Sequence, residues 1–482
     1  MSNRKLLLIF AFPLVLGLFF RLLRLDVISF SYDQARDAFL SQEILAGNLK
    51  IVGPPTDLQV VFHGPLYYYV SALFYFFSKD PRFVVVCFAI LNILSAIPLG
   101  FLVYKMFSSR FTVWVFFLLY ALSPELIFYG RFLSNVSLVI PSLSLGFTAL
   151  YLIPKKRMEI LAGVGLGLAA QAEFFLLSLF PLTLIYLALN RQSKKIITIF
   201  SASYLLSISP YFLAELKFKF RGLLTFLEFS GSSHSGPVEI LNRFVFGFSS
   251  LFARNYFSVS PSVIFVIILI SLVFLFQKNK TSFSFLAFYL FAVVPLFIFT
   301  SPGPIFFMIG SIIPLLIIVS STTTTKPLFG TMLVGLIIIT NMPIAIKGVE
   351  AGATFTGSET GMILRDEMAA VDAVYSYGYN LSYNSITSPL YMNTTWSYLF
   401  SWYGKQKYGY VPMWHGNNQI GVVGALANKP STGNEDFDAL IIENRVPEKW
   451  IKEISAIETY RAKPQETKKF GQITVIFGKR IK

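Results

Sequence analysis

The sequence is poor in cysteine, in histidine and in charge. Its 482 residues include one cysteine, Cys87, and three histidines, and only 13% are charged. One cysteine cannot form a disulfide within the chain, and so few sulfur and imidazole groups exclude a Cys/His metal cluster. A glycine-rich phosphate loop after a strand is also lacking, which disfavours a nucleotide-binding domain. We predict no cofactor and assign no metal ligand, and the sequence leaves a divalent metal ion open.

Apolar residues dominate the composition instead. The chain is 55% hydrophobic, contains 51 Phe and has a mean hydropathy of +0.63. Apolar runs of about 18 residues or more, long enough to cross a bilayer core, recur along most of it. The first run, residues 6–20, follows Arg4 and Lys5 as in a signal peptide, but no small-residue cleavage site follows it. We therefore predict a mainly α fold, a polytopic helical bundle embedded in the cell membrane, with this run retained.

Charge divides the chain into two parts. Residues 1–346 hold 25 basic and 12 acidic residues. Residues 347–482 lack long apolar runs and mix helix-like with strand-like segments, such as DALIIEN and QITVIFG. We predict a transmembrane catalytic domain over 1–346 and a small soluble extracytoplasmic α/β domain over 347–482. Basic loops of membrane proteins usually face the cytoplasm, so the positive charge does not indicate a nucleic-acid partner.

The positive-inside rule predicts the topology. Placing every short basic loop inside gives eleven spans, a cytoplasmic N-terminus and an extracytoplasmic C-terminal domain. The segment 64–77 has too few residues to cross, so we interpret it as a juxtamembrane or re-entrant helix. Residues 26–82 then form the first outer loop with its juxtamembrane helices. Residues 214–260 form an outer amphipathic loop, which either covers a site on the membrane or merely connects two spans.

The stretch SYDQARDAFLSQEILAGN, residues 31–48, is unusually polar for its place after the first apolar run. Ser31 and Gln34 have the spacing of a capping box, and Gly47 is a typical helix end. We predict a short amphipathic helix on the outer membrane surface, with Asp33 in its first turn and Arg36 and Asp37 one turn further on. Asp33 either stabilises the helix start or faces a lipid headgroup.

Polar residues gather on one side of the predicted membrane domain. In this topology eleven of the twelve acids in residues 1–346 lie at the outer face. Polar side chains near membrane depth usually face a protein interior or a watery cavity and mark a functional site. The alternative is that they are solvated loop ends.

Six segments together carry a resemblance to a known family. In chain order they are Asp33-x-Ala35-Arg36, HGPLYYY (63–69), LSPELIFYGRFLSN (122–135), GLAAQAEFF (167–175), SPYFLAELK (209–217) and YLFSWYGKQKYGY (398–410). They resemble segments of the GT-C glycosyltransferases, in particular the branch that contains the protein O-mannosyltransferases and the lipid A aminoarabinose transferase. HGPLYYY is similar to that branch's KPPLYYW segment, and LSPELIFYGRFLSN to its SP…YSR…N/D segment.

Two positions depart from the pattern of that branch. Gln34 stands where the branch often has Glu, the second acid of an Asp-Glu pair. His63-Gly64 stands in place of Lys-Pro. The resemblance thus implies a catalytic Asp33 without a second acid, and it puts a histidine, neutral near pH 7 unless a phosphate raises its pKa, where the branch has a lysine.

The resemblance implies a lipid-phosphate-sugar-dependent, inverting hexosyl or pentosyl transferase acting at the outer face. Its donor would be a sugar on a polyprenyl phosphate and its acceptor a hydroxyl of a lipid, a glycan or a protein. Such chemistry needs a base for the hydroxyl proton and fixed cations for the leaving phosphate. Asp33 is the predicted base, and Arg131 is the first phosphate partner because a guanidinium fork matches phosphate oxygens. His63, Arg36 and Arg24 are second choices.

Four further residues complete the predicted substrate contacts: Asp37, Asn135, Glu173 and Glu215. The two glutamates either bind sugar hydroxyls or form local pairs with Lys217 and Lys219.

A transporter or flippase of lipid-linked glycans is the alternative function. Transporters often contain internal repeats and broken helices near the midplane. We see no repeat, and the polar residues gather at one face. A structural membrane assembly protein, a third reading, leaves Asp33 and Arg131 unexplained.

Aromatic residues of the C-terminal part leave two roles open. The side chains are Trp396, Trp402, Tyr403 and Trp414. They could stack on sugars or form the domain's core, and we favour the core.

Overall fold

A computed structural model of the chain describes residues 3–56, 58, 60–232, 236, 238–239, 241–242, 245, 261–292, 308–351, 362–416, 423–424, 427–459 and 462–481. Most of these residues are helical, and the described strands form one six-stranded sheet near the C-terminus.

The helices before residue 220 are, in chain order, α1 Asn3–Leu22, α2 Tyr32–Leu45, α3 Leu66–Tyr75, α4 Pro81–Leu94, α5 Ala96–Phe107, α6 Arg110–Leu122, α7 Pro124–Arg131, α8 Val139–Lys156, α9 Glu159–Ala172, α10 Leu179–Leu189, α11 Lys194–Ser207 and α12 Ser209–Lys217. The later ones are α13 Arg221–Ser232, α14 Pro261–Lys278, α15 Lys280–Ala292, α16 Ile312–Thr325, α17 Pro327–Ala351, α18 Leu364–Tyr375, α19 Thr394–Leu399, α20 Lys405–Tyr408 and α21 Glu448–Thr459. Short 3₁₀ turns cover Leu25–Val27, Asn135–Leu138 and Phe174–Ser178, and a π-helical turn covers Phe400–Gly404.

Several helices have the length and composition of membrane spans. Pro81–Phe107, Asn135–Ile153 and Pro327–Lys347 qualify by themselves. Two bent pairs raise the number to five, α6 with α7 at 59° and α11 with α12 at 51°. Proline occupies the first or second position of α7 and of α12, where it cannot continue the preceding helix. The predicted membrane helices are therefore confirmed in kind, but eleven spans are not confirmed and stay a prediction.

The predicted orientation can be tested by labelling single cysteines from one side of a sealed membrane. In a Cys87→Ala background, Ser193→Cys precedes α11 and Ser431→Cys follows the third strand of the sheet. We expect a membrane-impermeant maleimide to reach Ser431→Cys from outside and Ser193→Cys only after lysis. Labelling of both positions from the same side would contradict the topology.

The chain forms two compact units. The first comprises Met1–Leu23, Lys50–Tyr67 and Val85–Val349, and the second comprises Arg24–Leu49, Tyr68–Val84 and Glu350–Lys482. Two parts of the predicted first outer loop, Arg24–Leu49 and Tyr68–Val84, thus group with Glu350–Lys482. Inside the second unit, Leu364 donates its N–H to the Ile28 carbonyl at 3.0 Å, and the Tyr398 hydroxyl donates to the Lys79 carbonyl at 2.6 Å.

The sheet of the second unit is mixed. Its strands are β1 Leu381–Ile386, β2 Met413–Trp414, β3 Lys429–Pro430, β4 Phe437–Glu443, β5 Ala462–Phe470 and β6 Ile473–Arg480. They follow the order β3-β2-β1-β4-β6-β5, with β3, β2, β1 and β4 parallel and with β6 antiparallel to both β4 and β5. The predicted α/β character is confirmed, and β4 and β6 coincide with the two strand-like segments. Trp396, Trp402 and Trp414 are buried in the core as favoured, whereas Tyr403 is half-buried and donates its hydroxyl to Asp372 Oδ2 at 3.0 Å.

Exposed apolar residues are visible in part of the predicted amphipathic loop 214–260. Leu223, Leu224 and Leu227 of α13 are exposed. The remainder of that prediction, over 246–260, lies outside the described residues.

One buried acid of α18 makes the C-terminal domain sensitive to pH. Glu367 is fully buried, and neither carboxylate oxygen has a hydrogen-bond partner in the described part of the chain. Burial raises the pKa of Glu367 well above its usual 4.5, and the nearby acid Glu443 adds to that effect. The folded domain holds this proton more tightly than the unfolded chain does, so the carboxyl weakens stability progressively as pH rises above about 4.5.

Glu367→Met should therefore stabilise the domain, by about 1–3 kcal/mol at pH 8, because it removes an uncompensated buried acid. The gain should shrink at pH 5, where the wild-type carboxyl is protonated. Thermal unfolding at both pH values measures it, with Glu448→Met on the exposed start of α21 as control. A gain that is equal at the two pH values would contradict the explanation.

Candidate active site

The first polar cluster forms on α2 because its N-terminus is capped as predicted. Ser31 and Gln34 form the capping box, and the Ser31 N–H donates to Gln34 Oε1 at 3.0 Å. The cap sets the helical phase, so Asp33 and Arg36 lie one turn apart on the same side. Arg36 Nη1 donates to Asp33 Oδ1 at 2.6 Å. The predicted helix start and the proximity of these charges are confirmed.

Arg36 also holds the second acid. Its Nη2 and Nε lie 2.7 Å and 2.9 Å from Asp37 Oδ1, and the Tyr68 hydroxyl donates to the same oxygen at 3.2 Å. The guanidinium therefore bridges two carboxylates. The sequence contained Tyr68 only as one of three consecutive tyrosines in HGPLYYY, and nothing in that run distinguished the one that reaches Asp37.

The two carboxylates differ in their access to solvent. The Asp33 side chain is 53% exposed, whereas those of Asp37 and Arg36 are 5% and 10% exposed. Burial raises the pKa of Asp37 to about 6, against the opposing charge of Arg36. Burial alone would lower the pKa of Arg36, but Asp37 and Asp33 outweigh it and raise that pKa above its usual value. The cluster thus places one guanidinium between two carboxyl groups, and the Asp33 carboxyl is the one open to solvent.

The inward face of α2 is not apolar. Besides alanines, its buried residues are Gln34, Arg36, Asp37 and Ser41. The prediction of an ordinary amphipathic helix is wrong in this respect, because charges that satisfy one another can replace hydrophobic residues on a buried face.

The second polar cluster surrounds His63 in the first unit. The Phe174 N–H donates to His63 Nδ1 at 3.2 Å, and Glu173 Oε1 lies 3.9 Å from the same nitrogen. A ring nitrogen that accepts a hydrogen bond bears no proton, so the neutral ring carries its proton on Nε2. The structure thus brings His63 and Glu173 together at a buried position.

Close packing against Gln171 explains why a glycine, Gly64, follows His63. The Gly64 N–H donates to the Gln171 carbonyl at 2.8 Å, and a Cβ on Gly64 would lie 2.8 Å from the Gln171 side chain. Proline lacks the N–H and carries a Cβ, so the Lys-Pro of the resembling branch does not fit this backbone arrangement.

Arg131 and Asn135 hold helix ends. Arg131 Nη1 donates to the carbonyl of Arg21 at 3.2 Å and also contacts the Leu23 carbonyl. A cation beside the last carbonyls of α1 is favoured by the helix dipole. Asn135 Nδ2 donates to the Ala172 carbonyl, the last of α9, at 2.6 Å.

Arg24 and Glu215 make local contacts. Both nitrogens of the Arg24 fork, Nε and Nη2, lie 3.0 Å from the Asp26 carboxylate. Glu215 Oε2 accepts the Leu223 N–H at 3.1 Å, in the first turn of α13. Glu215 therefore caps a helix, a local role other than the predicted pairing with Lys217 or Lys219.

Solved structures share this fold over nearly the whole chain. The crystal structure of ArnT from Cupriavidus metallidurans bound to undecaprenyl phosphate superposes with a TM-score of 0.57 at 12% identity, covering 99% of this chain and 98% of that one. The apo state of the same enzyme gives 0.59 at 12% identity with the same coverage. This chain has the ArnT fold. The likeness confirms the predicted GT-C resemblance at the level of the fold. No protein-family model and no curated protein matches the sequence.

Within this ArnT fold the ligands for a metal ion are sparse. In the described residues, no three His, Cys, Asp or Glu side chains lie close enough together to hold one. The polar groups that the described residues bring together are Asp33, Arg36 and Asp37 in the second unit, and His63 and Glu173 in the first. Arg131 also belongs to the first unit, where it contacts carbonyls at the end of α1.

Proposed function

We propose that this chain transfers a sugar from a polyprenyl-phosphate-linked donor to an acceptor hydroxyl at the outer face of the membrane, with Asp33 as general base. The main support is the position of the Asp33 carboxylate. It is exposed, and its Oδ1 lies 2.6 Å from Nη1 of the buried Arg36. The undecaprenyl phosphate bound to ArnT, a protein of the same fold, supports a polyprenyl phosphate as the lipid.

The proposed reaction is a direct displacement. The acceptor oxygen attacks the anomeric carbon and loses its proton to Asp33, while the bond from that carbon to the phosphate oxygen breaks. Polyprenyl phosphate leaves with the electron pair, and the anomeric configuration inverts. Asp33 releases its proton to water afterwards, which restores the base.

Asp33 fits the role of base better than Asp37 does. A base must come within hydrogen-bond reach of the proton that it takes. Asp33 is half exposed, whereas Asp37 is buried behind Arg36 and Tyr68. Asp37 is instead a positioning residue, since it fixes the guanidinium that holds Asp33.

The leaving phosphate requires cations or hydrogen-bond donors. We assign this role first to Arg131, whose guanidinium is half-buried and oriented by the carbonyls of α1. His63 is the second choice, through its Nε2 proton. Arg36 and Arg24 rank lower because their forks already bind Asp33, Asp37 and Asp26.

Arg131→Ala should weaken donor use by about 10–100-fold in kcat/KM, since a charge-assisted hydrogen bond to phosphate contributes roughly 1.5–3 kcal/mol. The loss of the helix-end contact should cost only about 0.3–1 kcal/mol of stability. Steady-state kinetics and thermal unfolding separate these effects. Arg131→Lys is the matched variant, because it keeps the positive charge but removes the planar guanidinium that can bind two phosphate oxygens. A stability loss with unchanged donor kinetics would make Arg131 a helix cap alone.

The transferase itself can be tested by incubating purified protein with polyprenyl-phosphate sugars and a panel of lipid, glycan and peptide acceptors. We expect sugar transfer to at least one hydroxyl acceptor, with inverted anomeric configuration by NMR. Movement of the intact lipid-linked sugar across a proteoliposome without any transfer would support a flippase instead.

A further inference from the structure

A pocket of about 440 Å³ opens where the parallel strands of the C-terminal sheet begin. Leu381, Met413 and Lys429 are the first residues of β1, β2 and β3, and all three line it. The pocket shares no lining residue with the α2 cluster. Its size lies within the usual range for small-ligand sites, about 300–1,000 Å³.

Tyrosine rings form one side of this pocket, and those of Tyr410 and Tyr408 are held in place by a hydrogen bond and by stacking. The Tyr410 hydroxyl donates to the Gly378 carbonyl at 2.6 Å, and the Tyr375 hydroxyl donates to the Tyr410 carbonyl at 2.6 Å. Tyr408 stacks on Tyr375 with ring centroids 4.1 Å apart. Tyr379 leans over Tyr410 at 5.3 Å and 37°. A ligand would therefore meet rings that are already in place, which reduces the entropy cost of binding.

Tyr379 is exposed to an unusual degree for a ring of its size. Its exposed fraction is 85%, whereas Trp396, Trp402 and Trp414 are all buried. The domain thus places its tryptophans in the core and leaves tyrosine faces in water at the pocket. Exposed aromatic faces beside a formed pocket indicate a surface that binds flat, partly apolar ligands.

Charge narrows the class of ligand. Lys429 is the one charged side chain among the described residues that line the pocket, and it is exposed. We propose that this pocket binds an anionic saccharide, with a sugar ring stacked on Tyr379 and Tyr410 and its carboxylate or phosphate paired with Lys429. The choice of a saccharide rests on the proposed glycosyl transfer, whereas the stacking face and the cation are features of the pocket itself.

Digalacturonic acid and its dimethyl ester are suitable probes, because esterification removes both negative charges and adds only two methyl groups. We would titrate each into the purified full-length chain in detergent by calorimetry. We expect the acid to bind and the ester to bind about tenfold or more weakly, since it loses one charge-assisted contact. Lys429→Gln should weaken binding of the acid by a similar factor and leave binding of the ester unchanged.

Tyr379→Ala should weaken both probes by about tenfold, the effect of losing roughly 1.4 kcal/mol of stacking. The side chain is exposed, so folding should be retained. Tyr391→Ala and Lys463→Gln, an exposed tyrosine and an exposed lysine outside the pocket, are the matched controls. Asp33→Asn should bind the acid as tightly as the wild type does. A failure of the saccharide-binding proposal can therefore be distinguished from a failure of the proposed sugar transfer.

Three results would overturn the proposal. One is failure of the wild type to bind either probe. Another is equal weakening by Tyr379→Ala and Tyr391→Ala, or by Lys429→Gln and Lys463→Gln. The third is Tyr379-dependent binding of an acidic peptide that is much tighter than the binding of either probe, which would make the pocket a protein-docking site.

Discussion

Asp33→Asn is expected to lower sugar transfer by about 10²–10⁴-fold, the usual contribution of a general base. Asparagine is nearly isosteric with aspartate and its amide oxygen can still accept from Arg36, so α2 and its capping box should be retained. The binding of the donor lipid should change little, because a phosphate gains nothing from a nearby carboxylate. Single-turnover transfer assays and lipid-binding titrations on the same preparation measure the two effects.

The choice of control for Asp33→Asn depends on burial. Asp37 lies on the same helix, but it is buried and holds Arg36, so Asp37→Asn should perturb the whole cluster. Glu43→Gln, two turns further along α2, is the better control, with an expected effect under about tenfold. Equal losses in Asp33→Asn and Glu43→Gln would mean that α2 needs its overall charge rather than one base.

Arg36→Met is expected to lower the free energy of unfolding by about 3–5 kcal/mol, because it leaves the buried Asp37 without its cation. The pKa of Asp37 is already raised from its usual 3.8 to about 6 by burial, with Arg36 opposing the rise. Removal of the cation should raise that pKa further. A raised carboxyl pKa weakens stability as pH rises, so the variant should be less stable at pH 8 than at pH 5.

A second substitution distinguishes electrostatics from packing. In Arg36→Met/Asp37→Asn no charge is left buried in the cluster, and the amide introduced in place of the Asp37 carboxylate can still bond Tyr68. Thermal unfolding in detergent should show the double variant to be more stable than Arg36→Met alone at pH 8. If the double variant loses as much free energy of unfolding as Arg36→Met and Asp37→Asn lose together, the guanidinium acts mainly through packing.

Local features of the chain could be predicted from the sequence. The Ser31–Gln34 capping box fixes the start of α2, and Gly47 marks its end. Both signals involve only neighbouring residues, so both can be recognised in the sequence. Strands β4 and β6 were readable because each is a compact apolar run. The burial of Trp396, Trp402 and Trp414 could be predicted for a different reason, because large aromatic rings are highly buried on average.

Side-chain partners that depend on how the chain folds could not be predicted. Arg24 and Glu215 seemed able to meet a substrate, but one binds Asp26 and the other binds the Leu223 N–H. A side-chain charge selects its partner by three-dimensional distance, and sequence patterns contain only spacing along one element. The tyrosine pocket was missed because its lining comes from the starts of three separate strands.

The packing of α2 against the C-terminal part of its own unit has a consequence for biosynthesis. Gln42 Nε2 donates to the Tyr398 hydroxyl across 356 residues of sequence, and Phe39 contacts the same ring at 5.2 Å. At a translation rate of about 5–20 residues per second, Tyr398 leaves the ribosome roughly 20–70 s after α2 does. Until then the helix that bears Asp33 has been delivered to the membrane without the partners that bury it. Nascent chains stalled before residue 398 should therefore expose α2 to protease, because Gln42 and Phe39 lack their partner until Tyr398 has emerged.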